Sequence, residues 1–171
     1  GRLSDLAQKT LLLSKLDSCQ IVTDREEFDL SEQVKRCVIL MMPQIEKKEI
    51  QPVIDLPDMK YYGNAELIEQ IWINLLSNAI RFTPEKGQIT VSGMVQQDRL
   101  EVRIADNGEG MSEEILQHVF ERYYQSKSNG GLSGNGIGLA IVARITELCG
   151  GEVRAESIKG EGSAFTVTFK L

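Results

Sequence analysis

Two pairs of short segments in which polar and apolar residues alternate constrain the fold of this chain more than any other feature. Within each pair only a few polar or glycine residues separate the segments, as in two antiparallel strands of a β-hairpin. Strands of this kind bury one face, so other elements must cover the apolar side of the sheet that they form. The pairs are 88–96 with 99–106, and 151–157 with 164–171.

Apolar residues at helical spacing predict the elements that provide this cover. The longest predicted helix follows Asn64, a good N-cap residue, and ends before Pro84. Asp29 or Ser31 is the candidate cap of an earlier helix that continues to about residue 48. We expect an α+β fold, a two-layer sandwich in which helices cover one face of a mixed, mostly antiparallel sheet. The other predicted elements are helices at 2–18, 112–119 and 136–149, and a strand at 50–56.

The composition of the chain argues against several classes of protein. Its 171 residues suffice for one ordinary domain, and its net charge of −6 disfavours a surface that binds nucleic acid through lysine and arginine. The three cysteines form no CxxC pair, so neither a disulfide framework nor a zinc site is indicated. No apolar run approaches the roughly 20 residues of a membrane-spanning helix. We therefore expect a compact cytoplasmic domain in a reducing compartment.

The helix after Asn64 carries an unusual polar stripe. At 100° per residue, Asn74, Asn78 and Arg81 share one side, opposite apolar residues such as Trp72. Asparagine is a poor residue in the middle of a helix, so two of them one turn apart suggest a function. An amide oxygen is a suitable ligand for Mg²⁺, and an arginine neutralises phosphate oxygens. The alternative is a solvated polar face, which is common on surface helices.

A second candidate site lies where the strand 99–106 ends. Asp106 is followed by a loop that contains Gly108 and Gly110. An ionised carboxylate only accepts hydrogen bonds, so it pairs with the amino group of adenine but not with the oxygen that guanine has at the same position. The two glycines would allow the backbone to approach the base closely. The alternative is an ordinary turn, because Asp-Asn-Gly is a common turn sequence.

A third glycine-rich element leads directly into the helix predicted at 136–149. Backbone N–H groups at such a helix start bind anions without a charged side chain. A dinucleotide-binding motif is excluded, because the glycines follow a polar stretch, 125–133, instead of a strand. We expect this stretch to be a mobile lid over phosphates, with Arg122 or Lys127 as its cationic contact. The alternative is a flexible loop without that role.

These motifs, in this order and over nearly the whole chain, resemble the ATP-binding catalytic domain of bacterial sensor histidine kinases. The family's asparagine box is matched by Asn74-x-x-x-Asn78-Ala79-x-Arg81-Phe82-Thr83-Pro84, its first glycine box by Asp106-x-Gly108-x-Gly110-Met111, its phenylalanine box by Phe120-Glu121-Arg122-Tyr123-Tyr124, its second glycine box by Gly134-x-Gly136-x-Gly138-Leu139, and its final glycine motif by Gly160-Glu161-Gly162-Ser163-Ala164-Phe165.

The resemblance implies the Bergerat ATP-binding fold, with ATP and Mg²⁺ as cofactors. It places Asn78 on Mg²⁺, Asn74 and Arg81 near phosphates, Phe82 against the nucleoside, and Asp106 on the adenine amino group. Lysine is common at the position of Arg81, which keeps the charge. Gln125 stands where a second arginine often closes the phenylalanine box, so Arg122 or Lys127 would supply the lid contact. The resemblance also assigns to ATP binding Gly108, Gly110, Met111, Tyr123, Gly134, Gly136, Ile137, Gly138, Leu139 and Thr166.

The activity that the resemblance implies is transfer of the ATP γ-phosphate to a histidine outside this chain, for relay to an aspartate of a response regulator. Related ATPases carry a glutamate general base at the position of Asn74, and an amide cannot accept a proton from water, so hydrolysis is expected to be slow. The only histidine, His118, lacks the acidic neighbour of the family's phosphoacceptor motif and is predicted to be structural. The alternatives are a protein-serine kinase or ATPase of the same fold, or a nucleotide-binding module without turnover.

The resemblance also predicts the domain boundaries. Residues 1–19 resemble the end of the second helix of the family's dimerisation and phosphoacceptor domain, residues 20–27 a linker, and residues 28–171 the ATP-binding domain. The alternative for 2–18 is a terminal helix that packs on the core of this domain. A single bundle helix offers too little apolar surface for a dimeric four-helix core, so we expect this chain to be a monomer. The parent protein is expected to be a homodimer anchored in the bacterial membrane.

Overall fold

The computed structural model describes residues 2–124 and 136–171. In chain order the elements are α1 (Arg2–Ser18), β1 (Glu26–Asp29), α2 (Leu30–Leu40), α3 (Met42–Lys47), β2 (Gln51–Asp55), β3 (Lys60–Gly63), α4 (Ala65–Phe82), β4 (Gln88–Val95), β5 (Arg99–Asp106), α5 (Glu113–Gln117), α6 (Gly138–Leu148), β6 (Glu152–Ile158) and β7 (Gly162–Lys170). Aspartate, asparagine and serine caps start α2, α4 and α5, and the strands of the two predicted hairpins begin within two residues of the alternating segments.

The main sheet has five strands in the order β2-β4-β5-β7-β6. Both predicted hairpins are present, β4 with β5 and β6 with β7, and they join through the antiparallel pairing of β5 with β7. The edge strand β2 pairs with β4 in parallel. The prediction of a mixed, mostly antiparallel sheet is therefore confirmed.

One face of this sheet is apolar and lies under helices α4 and α6. Alternate residues of the central strands are buried, and Val102, Val167 and Phe169 have no exposed surface. Trp72 of α4 packs edge-on against Phe169 with ring centroids 6.1 Å apart, and its indole N–H donates to Oε1 of Gln33 at 2.9 Å. This buried layer between sheet and helices confirms the two-layer α+β sandwich. Within the two described ranges, no helix has the length and apolar character needed to cross a membrane.

The structure also contains a second sheet of two strands, β1 and β3, which the sequence pattern does not predict. Its register pairs Phe28 with Tyr61, and their rings meet edge-on with centroids 6.3 Å apart. Three of the four residues of β1 are acidic, so this strand has no alternating pattern to identify it. β1 begins at Glu26, within the stretch 20–27 that was predicted to be a linker.

The prediction of a single helix from residue 29 or 31 to about 48 is wrong, because the structure has two helices that meet at Met41. Pro43 lies in the first turn of α3, and its nitrogen has no hydrogen to donate to the preceding turn. Asp29, one of the two candidate caps, accepts the N–H of Glu32 at 2.9 Å. The hydroxyl of Ser31, the other candidate, donates to the carbonyl of Pro57 instead.

Helix α1 packs on the core of this domain. Leu13 and Leu16 are only 3% and 4% exposed and belong to the main apolar core. The guanidinium group of Arg144 in α6 donates to the carbonyl of Leu16 at 3.2 Å and to that of Cys19 at 3.0 Å. These contacts match the alternative considered for residues 2–18, and the assignment of α1 to a neighbouring dimerisation domain stays a prediction.

Candidate nucleotide-binding site

Helix α4 positions the three polar residues that the sequence places on one stripe. Asn64 starts the helix by accepting the N–H of Leu67 at 2.9 Å. The stripe passes from buried to exposed along the helix, since Asn74 is 6% exposed, Asn78 is half-buried and Arg81 is exposed. The stripe is therefore only partly open to solvent, because α6 covers the end that carries Asn74.

Asn74 lies directly beneath the first turn of α6. Its Nδ2 donates to the carbonyl of Gln70 at 2.7 Å, which fixes the orientation of the amide. A Cβ atom added to Gly138 would lie 3.0 Å from Asn74 Oδ1, which is closer than nearly all Cβ contacts. Gly138 thus allows the backbone of α6 to approach the asparagine. The polar stripe of α4 and the glycine-rich start of α6 therefore meet at this point.

Asp106 ends β5 on the side of the sheet that faces the helices, as do Ile104 and Val102 before it. Its Oδ1 accepts the backbone N–H of Gly108 at 2.9 Å. Burial raises the pKa of Asp106, and hydrogen bonds from the backbone of Gly108 and Ser163 act in the opposite direction. The site thus contains a half-buried carboxylate whose orientation is fixed by the backbone and which retains capacity to accept further hydrogen bonds.

Two positions in the loop after Asp106 require glycine, because backbone atoms of other segments approach them closely. A Cβ on Gly108 would lie 2.3 Å from the carbonyl oxygen of Phe82, at the end of α4. Gly110 has a φ of +70°, and its Cβ would lie 2.1 Å from the carbonyl oxygen of Ile158. The next residue, Met111, donates its N–H to Ser157 Oγ at 2.7 Å. The loop therefore connects α4 to the β6–β7 hairpin and keeps Asp106 between them.

The start of α6 forms the third side of the site. Gly136 has a φ of +71°, and its carbonyl accepts the N–H of Tyr123 at 2.8 Å. Ile137 is fully buried and Leu139 packs against the core, so apolar contacts anchor this helix start. Among residues 2–124 and 136–171, no side chain caps the first turn of α6. Its N–H groups are thus arranged as they are in helix starts that bind anions.

Arg122 lies against α1 and outside this cluster. Its Nη1 donates to Asp17 Oδ2 at 2.8 Å, and its Nη2 donates to Asp17 Oδ1. This two-point ion pair lowers the pKa of Asp17 and raises that of Arg122. Lys127 and Gly134, and the stretch 125–133 interpreted as a lid, lie outside the described residues.

Thr166 is not brought to the site either. It pairs in register with Arg103 and Arg154 of the neighbouring strands. Because side chains alternate along a strand, its side chain lies on one face of the sheet and those of Phe165 and Val167 lie on the other face. Asp106 is on the helix-covered face, so the sheet separates the two.

Ser163 is a residue that the sequence analysis did not select for the site. It pairs in register with Asp106, and its backbone hydrogen bond helps to lower the pKa of that carboxyl. Its position in the final glycine motif, Gly160 to Phe165, was the available signal.

The chemistry of Asn78 suits a magnesium ion. It lies one turn from Asn74, it is half-buried, and within the part of the chain that the structure describes its side-chain amide makes no hydrogen bond. Mg²⁺ in nucleotide sites uses one or two protein oxygens, substrate phosphates and several waters. Residues 2–124 and 136–171 contain no cluster of three or more His, Cys, Asp or Glu side chains suited to a metal. A single amide ligand beside bound phosphates therefore fits the residues that are present.

Comparison with known proteins agrees with this geometry. The profile of the family described as histidine kinase-, DNA gyrase B- and HSP90-like ATPase matches residues 63–171. The heme sensor protein HssS of Staphylococcus saprophyticus is 32% identical over 169 residues, which cover 99% of this chain and 36% of HssS. The sensor histidine kinase YcbM of Bacillus subtilis is 33% identical over 162 residues, which cover 92% of this chain and 52% of YcbM. The chain thus spans about a third to a half of the length of these relatives.

A solved structure agrees with the fold. Full-length ShkA in complex with AMPPNP superposes with a TM-score of 0.87 at 25% identity, over 98% of this chain and 35% of ShkA. The superposition therefore includes α1 as well as the two-layer sandwich. The chain belongs to the histidine kinase-, DNA gyrase B- and HSP90-like ATPase family, and over 92% of its length it is similar to part of a sensor histidine kinase.

Proposed function

We propose that this domain binds Mg²⁺-ATP and transfers the γ-phosphate to a histidine that lies outside residues 1–171. Asp106 accepts a hydrogen bond from the adenine amino group, and the loop with Gly108 and Gly110 lies along the base. Asn78 holds Mg²⁺, which supplies charge neutralisation to the phosphates. Arg81 and the N–H groups at the start of α6 bind the remaining phosphate oxygens.

The observation that carries this proposal is the buried amide of Asn74. It occupies the end of the polar stripe beneath α6, where a related ATPase would have a glutamate to remove a proton from water. An amide cannot do this, whereas an imidazole nitrogen attacks phosphorus without such a base. Glu69 is not a substitute, because it lies near Cys37 of α2. Burial, and after it the negative charge of Glu69, raise the pKa of the Cys37 thiol to about 11. Transfer to histidine is therefore favoured over hydrolysis.

His118 does not have the properties of the phosphate acceptor. Its Nδ1 is 2.7 Å from Oε1 of Glu121, and its ring stacks on Tyr124 with centroids 5.0 Å apart. Both contacts are within the segment after α5, so the ring serves local structure. The acceptor is then a histidine of the dimerisation and phosphoacceptor domain, with an aspartate of a response regulator as the next acceptor in the relay.

The proposal extends to the parent protein. The similarity of residues 1–19 to the second helix of the dimerisation domain supports a homodimeric parent, anchored in a bacterial membrane through segments outside this chain. The contacts of Leu13 and Leu16 with the core then describe how that helix docks on the ATP-binding domain.

The test is a transfer assay in trans. The purified chain is incubated with Mg²⁺, γ-labelled ATP and either a separately produced phosphoacceptor domain of this family or a serine-containing protein substrate. We expect acid-labile label on the histidine domain, no label on the chain itself, and the same result for the control variant His118→Gln. Acid-stable label on serine would support the serine-kinase alternative, and release of free phosphate alone would support an ATPase. If the chain bound Mg²⁺-ATP but produced none of these, it would be a non-catalytic nucleotide-binding module.

A further inference from the structure

The C-terminal end of α4 is only partly capped by the residue that follows it. The last four carbonyls of any α-helix lack partners within the helix, and a glycine in a left-handed conformation often provides them. Here the residue after the helix, Thr83, is extended with ψ of 130°, as expected before Pro84. Thr83 donates only to the carbonyl of Ala79, so donors for the later carbonyls must come from elsewhere.

Lys48, the residue after α3, donates to two of these carbonyls and to the carbonyl of Thr83. Its Nζ lies 2.7 Å from the carbonyl oxygen of Ile80, 3.2 Å from that of Arg81 and 2.6 Å from that of Thr83. Thr83 donates two hydrogen bonds to the carbonyl of Ala79, from its N–H at 2.9 Å and from its hydroxyl at 2.6 Å. A positive charge here also complements the negative end of the helix dipole.

The backbone around Lys48 holds the loop that follows the helix. The carbonyl of Lys48 accepts the N–H of Lys86 at 2.8 Å, and the N–H of Gln51 donates to the carbonyl of Gly87 at 2.9 Å. These two bonds tie the end of the segment 83–87 to the region between α3 and β2, and the bond from Lys48 Nζ to the carbonyl of Thr83 ties its start. The ammonium group of Lys48 thus bonds to the first residue of this segment and to the last turn of α4 at the same time.

The turn that Lys48 holds carries two residues of the nucleotide site. Arg81 and Phe82 belong to it, and the carbonyl oxygen of Phe82 is the atom against which Gly108 packs. The position of this turn therefore also determines where the loop after Asp106 lies. We propose that Lys48 is a positioning residue for nucleotide binding, which fixes the end of α4 so that Arg81 and Phe82 face the bound ATP. This inference rests on the nucleotide contacts proposed above for Arg81, Phe82 and Asp106.

The experiment compares Lys48→Met and Lys48→Arg with the wild type and with Lys47→Met. Methionine keeps much of the apolar stem but donates nothing, whereas arginine keeps the charge and the donors. Lys47 is exposed at the end of α3 and makes no hydrogen bond within the described residues, so its replacement is a matched control. The dissociation constant for the Mg²⁺ complex of the imido analogue of ATP is measured by calorimetry, well below the melting temperature of every variant.

We expect Lys48→Met to bind at least tenfold more weakly, because loss of one hydrogen bond between Arg81 and a charged phosphate oxygen raises the dissociation constant roughly 10- to 150-fold. Lys48→Arg and Lys47→Met are expected to bind within about threefold of the wild type. A purely structural role would lower the melting temperature of Lys48→Met and leave the affinity of the folded protein unchanged, which would overturn the inference. An equally weak Lys48→Arg would also count against it, since donation to the carbonyls would then not be the cause.

Two further outcomes are distinguishable. If circular dichroism shows that Lys48→Met is unfolded at the temperature of the measurement, the comparison is made on Lys48→Gln, a neutral donor too short to reach all three carbonyls. If the wild-type chain itself fails to bind the nucleotide, the proposed function fails. Binding by the wild type with unchanged affinity in the folded variants refutes only the role of Lys48.

Discussion

Replacing Asp106 with asparagine tests the proposed site most directly, because the variant keeps the shape of the side chain and removes its charge. In the structure Oδ1 accepts the N–H of Gly108 at 2.9 Å, and an amide oxygen retains this bond. The other carboxylate oxygen becomes an N–H₂ group, which cannot accept a hydrogen bond from adenine. A hydrogen bond to a charged group contributes about 1.5–3 kcal/mol, so the dissociation constant for Mg²⁺-ATP should rise roughly 10- to 150-fold.

The specificity of the variant provides a second measurement. The new amide donor pairs with the oxygen that guanine has in place of the adenine amino group, so the ratio of ATP to GTP affinity should fall. Calorimetric titration of both nucleotides at pH 7.5 measures this ratio. Asp98→Asn is the matched control, because it makes the same chemical change at an exposed hairpin turn. An affinity of Asp106→Asn for ATP within threefold of the wild type, or an equal loss for both nucleotides, would refute the assignment of Asp106 to the base.

The pH dependence of stability follows from the same carboxyl. Burial raises the pKa of Asp106 in the folded state above its ordinary value of 3.8, so between the two values the folded state binds more protons than the unfolded state. As pH rises from about 3.8 through the raised pKa, the free energy of unfolding of the wild type should therefore fall relative to that of Asp106→Asn. At pH values above the raised pKa, the difference between the two proteins should stay constant. Urea denaturation of both proteins at several pH values measures the difference. A constant difference would contradict the effect of burial.

Two other contacts give predictions of their own. Gly110→Ala places a Cβ 2.1 Å from the carbonyl oxygen of Ile158, at a residue with a φ of +70°. Gly150 has the same φ, but a Cβ there would have no atom within 4 Å. Gly110→Ala should therefore lower the melting temperature clearly more than Gly150→Ala. The left-handed conformation alone costs alanine about 1–2 kcal/mol at either position. Equal melting temperatures would show that the loop moves aside. Asp17→Ala removes the ion pair with Arg122 and should increase amide hydrogen exchange in the segment 119–124, whereas unchanged exchange would show that this pair does not hold the segment.

Much of the fold was accessible from the sequence because its patterns are local. Asn64 and the apolar face around Trp72 predict α4 correctly, and the alternation on either side of residues 97–98 predicts the β4–β5 hairpin. The two failures also have local causes. β1 is too acidic and too short to show a strand pattern, and the break at Met41 depends on the missing N–H of Pro43.

The candidate site was accessible in part. The order of the motifs selected Asn74 and Asp106, and the structure places both on the helix-covered side of the sheet. The sequence also selected Thr166, which the alternation of β7 puts on the other side. A motif identifies which residues occur together along the chain, but the face on which a strand residue lies depends on the register of the whole sheet.

By itself, then, the sequence determined where α4 and the strands of the main sheet form and which polar residues they present, because periodicity and capping act over a few residues. Only the tertiary structure decided that Asn74 is buried beneath Gly138, that Arg122 pairs with Asp17, and that Lys48 closes the end of α4. The partners in the last two contacts are 105 and 35 residues apart in the chain. No local pattern encodes such pairs, because they arise only when the packing of the helices on the sheet brings distant segments together.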